Sequence, residues 1–318
     1  MPMEPKQAGT SNLPNFFIIG APKCGTTALH FYLAEHPRVF MPELKEPHFF
    51  STELSRDCGF PATLEEYTAL YRKVTEQHQA IGDASVFYLS SPYALPEIHR
   101  MMPQAKIIIM LRDLLDQFVS YHAQMRFIVE EDLPGPEDAW NAQEDRAGGK
   151  RIPATCLAPP RLEYRRVLSV GSQLARVYKI FPPEQVHLIW YDDFSRDTAK
   201  SYDGALDFLG LEKEQAVEFR HYNSRKEYRN GFIQKLIWRQ PPWLRGLTRT
   251  MHGLPIIGKF RLNTILERLN SRSPAKPSLS PEFTARFLGE MEPEIALLEQ
   301  VSGRDLSSWR RPRKPAAA

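Results

Sequence analysis

Three short runs of the chain are apolar at nearly every position: Phe16–Ile19, Ala105–Leu111 and Val186–Tyr191. Continuous apolar runs of this length suit strands buried on both faces of a sheet, not the alternating strands of a half-solvated one. Ile81–Asp83 reads as a further short strand. Between the runs lie segments with helical spacing: Leu64–Gln77, Leu114–Val129, Leu162–Ile180 and Ala199–Leu209. Thr26–Glu35 is another, with Leu29 and Leu33 four residues apart and His36-Pro37 as its stop. Strands alternating with helices predict an α/β fold, a central parallel sheet flanked by helices. Pro281–Val301 predicts one more helix. Residues 132–160 are rich in Pro, Gly and charge and read as a long loop or lid. Residues 238–280 are rich in proline and basic residues and weakly periodic. The expected organisation is a disordered lead at 1–14, one domain over 15–309 with acceptor-side loops near 132–160 and 238–280, and a basic tail at 310–318.

Composition narrows the function classes. Of 318 residues, 42% are hydrophobic, enough for a substantial core. The charge balance, 41 basic minus 38 acidic or +3, argues against a general nucleic-acid binder. Three cysteines, Cys24, Cys58 and Cys156, make no disulfide framework and fit a reducing compartment. The first residues lack an apolar signal core, and no stretch approaches the roughly 18 apolar residues of a membrane span. The expectation is a soluble cytoplasmic protein with no membrane span and no nucleic-acid partner; its oligomeric state is not legible.

The first apolar run leads into GAPKCGTT, residues 20–27. Gly20 and Gly25 keep the spacing of a nucleotide-triphosphatase loop, but threonines follow Gly25 where that loop has its lysine. The only lysine, Lys23, sits inside the loop. Backbone N–H groups of a glycine loop entering a helix bind anionic oxygens, and Thr26 and Thr27 add hydroxyl donors. Glycines alone would mark only a strand-to-helix turn; with Lys23 and two threonines after a buried strand, a phosphate site is the better reading. The second run ends in Arg112, at the end of a parallel strand where such sheets bind ligands. Its fork suits a terminal phosphate. Ser120 follows two turns into the next helix. No His/Cys/Asp/Glu cluster has metal-ligand spacing.

APKCGTTALHFYLAEHP resembles the 5′-phosphosulfate loop of sulfotransferases that use 3′-phosphoadenosine 5′-phosphosulfate (PAPS); Pro22, Lys23, Gly25, Thr26 and Thr27 match its P-K-x-G-T-T pattern. IIIMLRDLLDQFVSYH, with Arg112 and Ser120, resembles the family's second signature. The likeness continues through EQVHLIWYDDF and ALDFLGL and covers roughly 15–230. It implies a P-loop NTPase-like sulfotransferase fold, PAPS as co-substrate and no metal. Lys23, Cys24, Gly25, Thr26 and Thr27 would line the 5′-phosphosulfate, and Arg112 and Ser120 the 3′-phosphate. Arg225 and Lys226, in FRHYNSRKEYRN, fall where the family closes a basic loop over the adenosine. SVGSQL, 169–174, resembles the family's glycine-containing helix start near the acceptor.

Sulfuryl transfer needs a base for the acceptor proton. MPELKEPHFFS resembles the E-x-H-F-F segment of the glycan-modifying branch, which makes Glu46 the expected base and His48 a group that supports it or touches substrate. The small-molecule branch carries a histidine before the arginine strand, and IGDASVFYLSSP has none. Where the glycan branch often has lysine, this chain has Ala84. Phe49 and Phe50 are expected to desolvate Glu46 and raise its pKa. A solvated Lys45–Glu46 charge pair is the plainer alternative. The acceptor reads as a glycan or other small molecule. A P-loop kinase with a displaced lysine and a catalytically silent nucleotide-binding protein of the same fold stay open as alternatives.

Overall fold

The computed structural model describes residues 13–54, 60–213, 217–220, 227–239, 269–272 and 277–311. They divide into two compact units: Met1–Asp113, Ser169–Tyr222 and Met291–Arg311, and Leu114–Leu168, Asn223–Glu290 and Pro312–Ala318. The first unit holds a five-stranded parallel sheet: β1 Phe16–Gly20, β2 Val39–Phe40, β3 Ala80–Ala84, β4 Lys106–Leu111 and β5 Val186–Trp190. Its order is β2-β3-β1-β4-β5. The chain leaves β1 towards β3 and β2 on one side and returns to β4 and β5 on the other. The ends of β1 and β4 therefore flank the switch point at which open parallel sheets bind ligands.

Two of the three apolar runs are buried on both faces, whereas the third, β5, lies at the sheet edge with only Ile189 buried. Phe16, Phe17, Ile18 and Ile19 of β1 and Ile107 to Leu111 of β4 are fully buried. Each such side chain contributes about 1.5–3 kcal/mol on burial. The helices of this unit are α1 Thr26–Ala34, α2 Leu64–Ala69, α3 Ala94–Met101, α8 Val170–Tyr178, α9 Tyr191–Arg196 and α10 Thr198–Leu209. α2 starts with a capping box, the Thr63 hydroxyl accepting from Glu66 N–H while the Glu66 carboxylate accepts from Thr63 N–H. It ends eight residues earlier than its sequence suggests, because 70–77 turns instead of continuing.

The second unit contains α4 Leu114–Phe127, α5 Pro136–Asn141, α6 Gln143–Ala147, α7 Tyr164–Leu168, a β6–β7 pair (Glu227–Tyr228 with Ser271–Arg272) and α11 Gly231–Trp238. Helix Pro281–Ser302 gives its first half to this unit and its second half to the other. The segment 132–160, expected as a loop, carries the short helices α5 and α6. Buried ion pairs hold it: Arg146 donates twice to Glu131, at 2.6 and 2.7 Å, and Arg161 donates to Glu130 at 3.2 Å. The single helix expected over 162–180 breaks at Ser169, whose φ −73 and ψ 53 are not helical. Among the described residues, no helix is long and apolar enough to cross a membrane. Residues 1–12 of the lead, 312–318 of the tail and most of 238–280 lie outside the described residues.

Candidate active site

Gly20 and Gly25 close the loop between β1 and α1. A Cβ at Gly20 would lie 2.9 Å from both Leu89 Cβ and the Val86 carbonyl oxygen, so the chain fits there only as glycine. Gly25 has a left-handed φ of 96° and leads into α1, whose start no side chain caps. The helix thus presents its N-terminal backbone, with Thr26 and Thr27 beside it, to the loop mouth, an arrangement that suits an anion. Lys23 is itself left-handed at φ 66, an unusual state for a side-chain-bearing residue. Burial pushes its ammonium down to about 8; the Glu46 charge opposes this, and Lys45 and Arg112 push further down. It remains a cation at neutral pH. Cys24 is fully buried, its thiol pushed up to about 12 by burial, and it donates to the Pro22 carbonyl at 3.6 Å. It fills the loop and is not a poised thiolate.

Arg112 follows directly on β4. Its Nη1 donates to the Lys23 carbonyl at 3.3 Å, and its guanidinium lies 4.3 Å from the centre of the Tyr191 ring. Tyr191 begins α9 just past β5, and its ring is also a neighbour of Gly25. The ends of β1, β4 and β5 therefore converge on one cationic corner. Tyr191 was not singled out by the sequence reading. Its signal was positional: an aromatic residue immediately beyond a buried parallel strand, at the same edge as Arg112.

Glu46 reaches the same corner. Its carboxylate pairs with Lys45 and lies 3.4 Å from His48 Nε2. Burial raises its pKa, but Lys45 beside it and the His48 hydrogen bond outweigh burial and hold the carboxyl below the usual range. This corrects the expectation of a raised value. Phe49 stacks on Tyr67 at 4.5 Å, and Phe50 packs edge-on to Tyr67 and Tyr88. The Lys45–Glu46 pair exists, yet it is not a solvated one; the side chains are only 19% and 31% exposed. His48 is buried, its ring 5.1 Å from those of Phe60 and Phe87. His30 on α1 is also buried and is pushed down to about 4, by burial first and then by Lys45, so it is neutral.

Ser120 is on α4, in the second unit. Arg225 and Lys226 lie outside the described residues. At the start of α8, Gly171 has a plain packing role: a Cβ there would meet the Glu294 carbonyl oxygen at 2.4 Å. Next to it the Ser172 hydroxyl donates to the Glu294 carboxylate at 2.6 Å.

A parallel sheet whose switch point carries a glycine loop and an arginine defines an α/β protein suited to an anionic ligand there. Residues 13–240 match the sulfotransferase domain, and the chain belongs to the sulfotransferase family. A crystal structure of a sulfotransferase from Alicyclobacillus acidocaldarius superposes with a TM-score of 0.69 at 25% identity, over 94% of this chain and 99% of that one. The human bifunctional heparan sulfate N-deacetylase/N-sulfotransferase 3 is 26% identical over 96% of this chain and 32% of its own length. The membrane-associated sulfotransferase kil1 of Dictyostelium discoideum is 33% identical over 38% of this chain and 25% of its own. Mouse carbohydrate sulfotransferase 15 is 32% identical over 34% of this chain and 26% of its own. The chain thus spans about a quarter to a third of the length of these curated relatives.

Proposed function

We propose that the protein transfers a sulfuryl group from PAPS to a hydroxyl or amine of a carbohydrate or related small-molecule acceptor. The observation that carries this reading is the convergence of Lys23, Glu46 and Arg112 at the ends of β1 and β4, over a glycine cradle and an uncapped helix start. A nucleotide with two phosphate positions fits these residues. The loop backbone, Thr26 and Thr27 hold the 5′-phosphosulfate, and Arg112, braced by Tyr191, takes the 3′-phosphate. Ser120 is a candidate for the same phosphate on its sequence motif alone.

In the reaction the acceptor oxygen or nitrogen forms a bond to sulfur while the bond from sulfur to the phosphate oxygen breaks. The acceptor proton passes to Glu46, and adenosine 3′,5′-bisphosphate (PAP) leaves. Lys23 neutralises the charge that develops on the bridging oxygen, a preorganised electrostatic role. Lys45 pairs with Glu46 in the free protein; engagement of Lys45 by the anionic sulfuryl group would release the carboxylate and strengthen it as a base. The glycan lean rests on the E-x-H-F-F segment and on the carbohydrate and heparan sulfate names of the relatives. A reducing, cytoplasmic setting rests on the sparse cysteines alone.

Thermal shift with two ligands tests the reading. PAP at about 100 times its Kd stabilises the fold by roughly 2.7 kcal/mol. Arg112→Ala weakens PAP more than an analogue lacking the 3′-phosphate. A shift with ATP and magnesium but none with PAP points instead to the kinase reading and overturns this one.

A further inference from the structure

One buried carboxylate is not used by the reaction above. Asp83, near the end of β3, is fully buried. Its Oδ1 accepts from the Ser85 hydroxyl at 2.7 Å, and its Oδ2 accepts from the Tyr67 hydroxyl at 2.7 Å and the Tyr88 hydroxyl at 2.9 Å. Each of the three donors also touches the segment that carries Glu46. Ser85 Oγ accepts from His48 N–H at 3.0 Å. The Tyr88 hydroxyl accepts from Phe50 N–H at 3.5 Å. The Tyr67 ring stacks on Phe49 with planes 10° apart.

The proton directions make this a directed chain. A hydroxyl has one proton, and those of Ser85 and Tyr88 are committed to Asp83, so their lone pairs are left to accept the loop's backbone N–H groups. Burial pushes Asp83 up to about 6 while the three hydroxyl donors hold it down, so at neutral pH it is ionised and purely an acceptor. The tethered segment needs such a hold. Glu46 and His48 both have left-handed φ, 60° and 52°, on either side of Pro47. Residues that bear side chains persist in that state only where their surroundings over-determine them.

We propose that Asp83 is the positioning residue for Glu46: through Ser85 and Tyr88 it fixes the backbone of the Glu46–Phe50 turn that aims the carboxylate at the Lys23 corner. The inference deepens the sulfotransferase reading and rests on it for its catalytic arm. Asp83 does not touch substrate; it acts through two hydroxyls on the loop.

The test compares wild type with Ser85→Ala and Ser85→Thr, with Tyr88→Phe as a second way to cut the hub from the loop. Two quantities are read: amide hydrogen exchange across residues 46–50, and kcat separately from KM for PAPS. Ser85→Ala is expected to speed exchange in 46–50 about tenfold or more without loosening β1 or β4. It is expected to lower kcat by about ten- to a hundredfold, as misplacement of a reacting group does, with KM for PAPS and the PAP thermal shift within twofold. Ser85→Thr restores both, and Tyr88→Phe shifts both in the same direction as Ser85→Ala. Unchanged exchange at 46–50 in Ser85→Ala and Tyr88→Phe overturns the proposal, as does faster exchange with unchanged kcat. If wild type transfers no sulfuryl group from PAPS, the function fails, and the exchange arm still decides whether Asp83 holds the turn.

Discussion

Glu46 carries the sharpest tension at the scale of single residues. A general base works best with a pKa near the working pH, yet Lys45 and His48 hold this carboxyl low. The free protein therefore keeps Glu46 ionised but weakly basic. Because its folded pKa lies below the unfolded value, its share of stability is present above the unfolded pKa and lost as pH falls through the folded one. Lys45→Met removes the largest opposing influence and lets burial act, so the Glu46 pKa rises. The acid limb of kcat/KM then moves to higher pH in Lys45→Met, and Glu46→Gln abolishes that limb along with most of the turnover. A limb that stays in place in Lys45→Met shows that Lys45 does not set the basicity of Glu46. The placement of Lys23 and Arg112 at strand ends was legible in the sequence because both follow strands whose apolar runs are continuous. The Asp83 hub was not. Its partners are separated by up to 38 residues in sequence, and no local spacing announces a hydrogen bond between them.

Elements show the same division between local and tertiary control. β1 and β4 were readable because burial on both faces leaves no room for polar alternation; β5 was readable from its apolar run although it is a half-buried edge strand. α2 and the helix broken at Ser169 were misjudged in length, since periodicity marks a face and not the point where tertiary contacts stop the helix. The helices α5 and α6 were hidden in a charged segment; Arg146 of α6 turns inward to pair with Glu131, while Glu144 and Asp145 face solvent. If β4 is the frame of the site, its centre should be costly to disturb. Ile108→Ala, fully buried between β1 and β5, is expected to lower stability by about 2–5 kcal/mol in urea. Leu64→Ala, 47% exposed at the start of α2, stays within about 0.5 kcal/mol. Equal effects at the two positions would remove β4 from that role.

For the whole molecule, a fold shared with sulfotransferases says little about the acceptor, because function lies in the site grafted on the fold. The central claim is narrower: this chain moves a sulfuryl group from PAPS, and Lys23 acts in the transition state more than in binding. The arrangement behind it is a lysine inside the loop, left-handed and largely desolvated, between Glu46 and Arg112. The most direct measurement is transfer of label from [35S]PAPS to a panel of glycan and small-molecule acceptors, run with wild type and Lys23→Ala. The account predicts labelled product and PAP with wild type. In Lys23→Ala it predicts a kcat lower by about a hundredfold or more, with the PAP thermal shift retained. Intact PAPS with every acceptor, or a Lys23→Ala variant that changes only KM for PAPS, would contradict it.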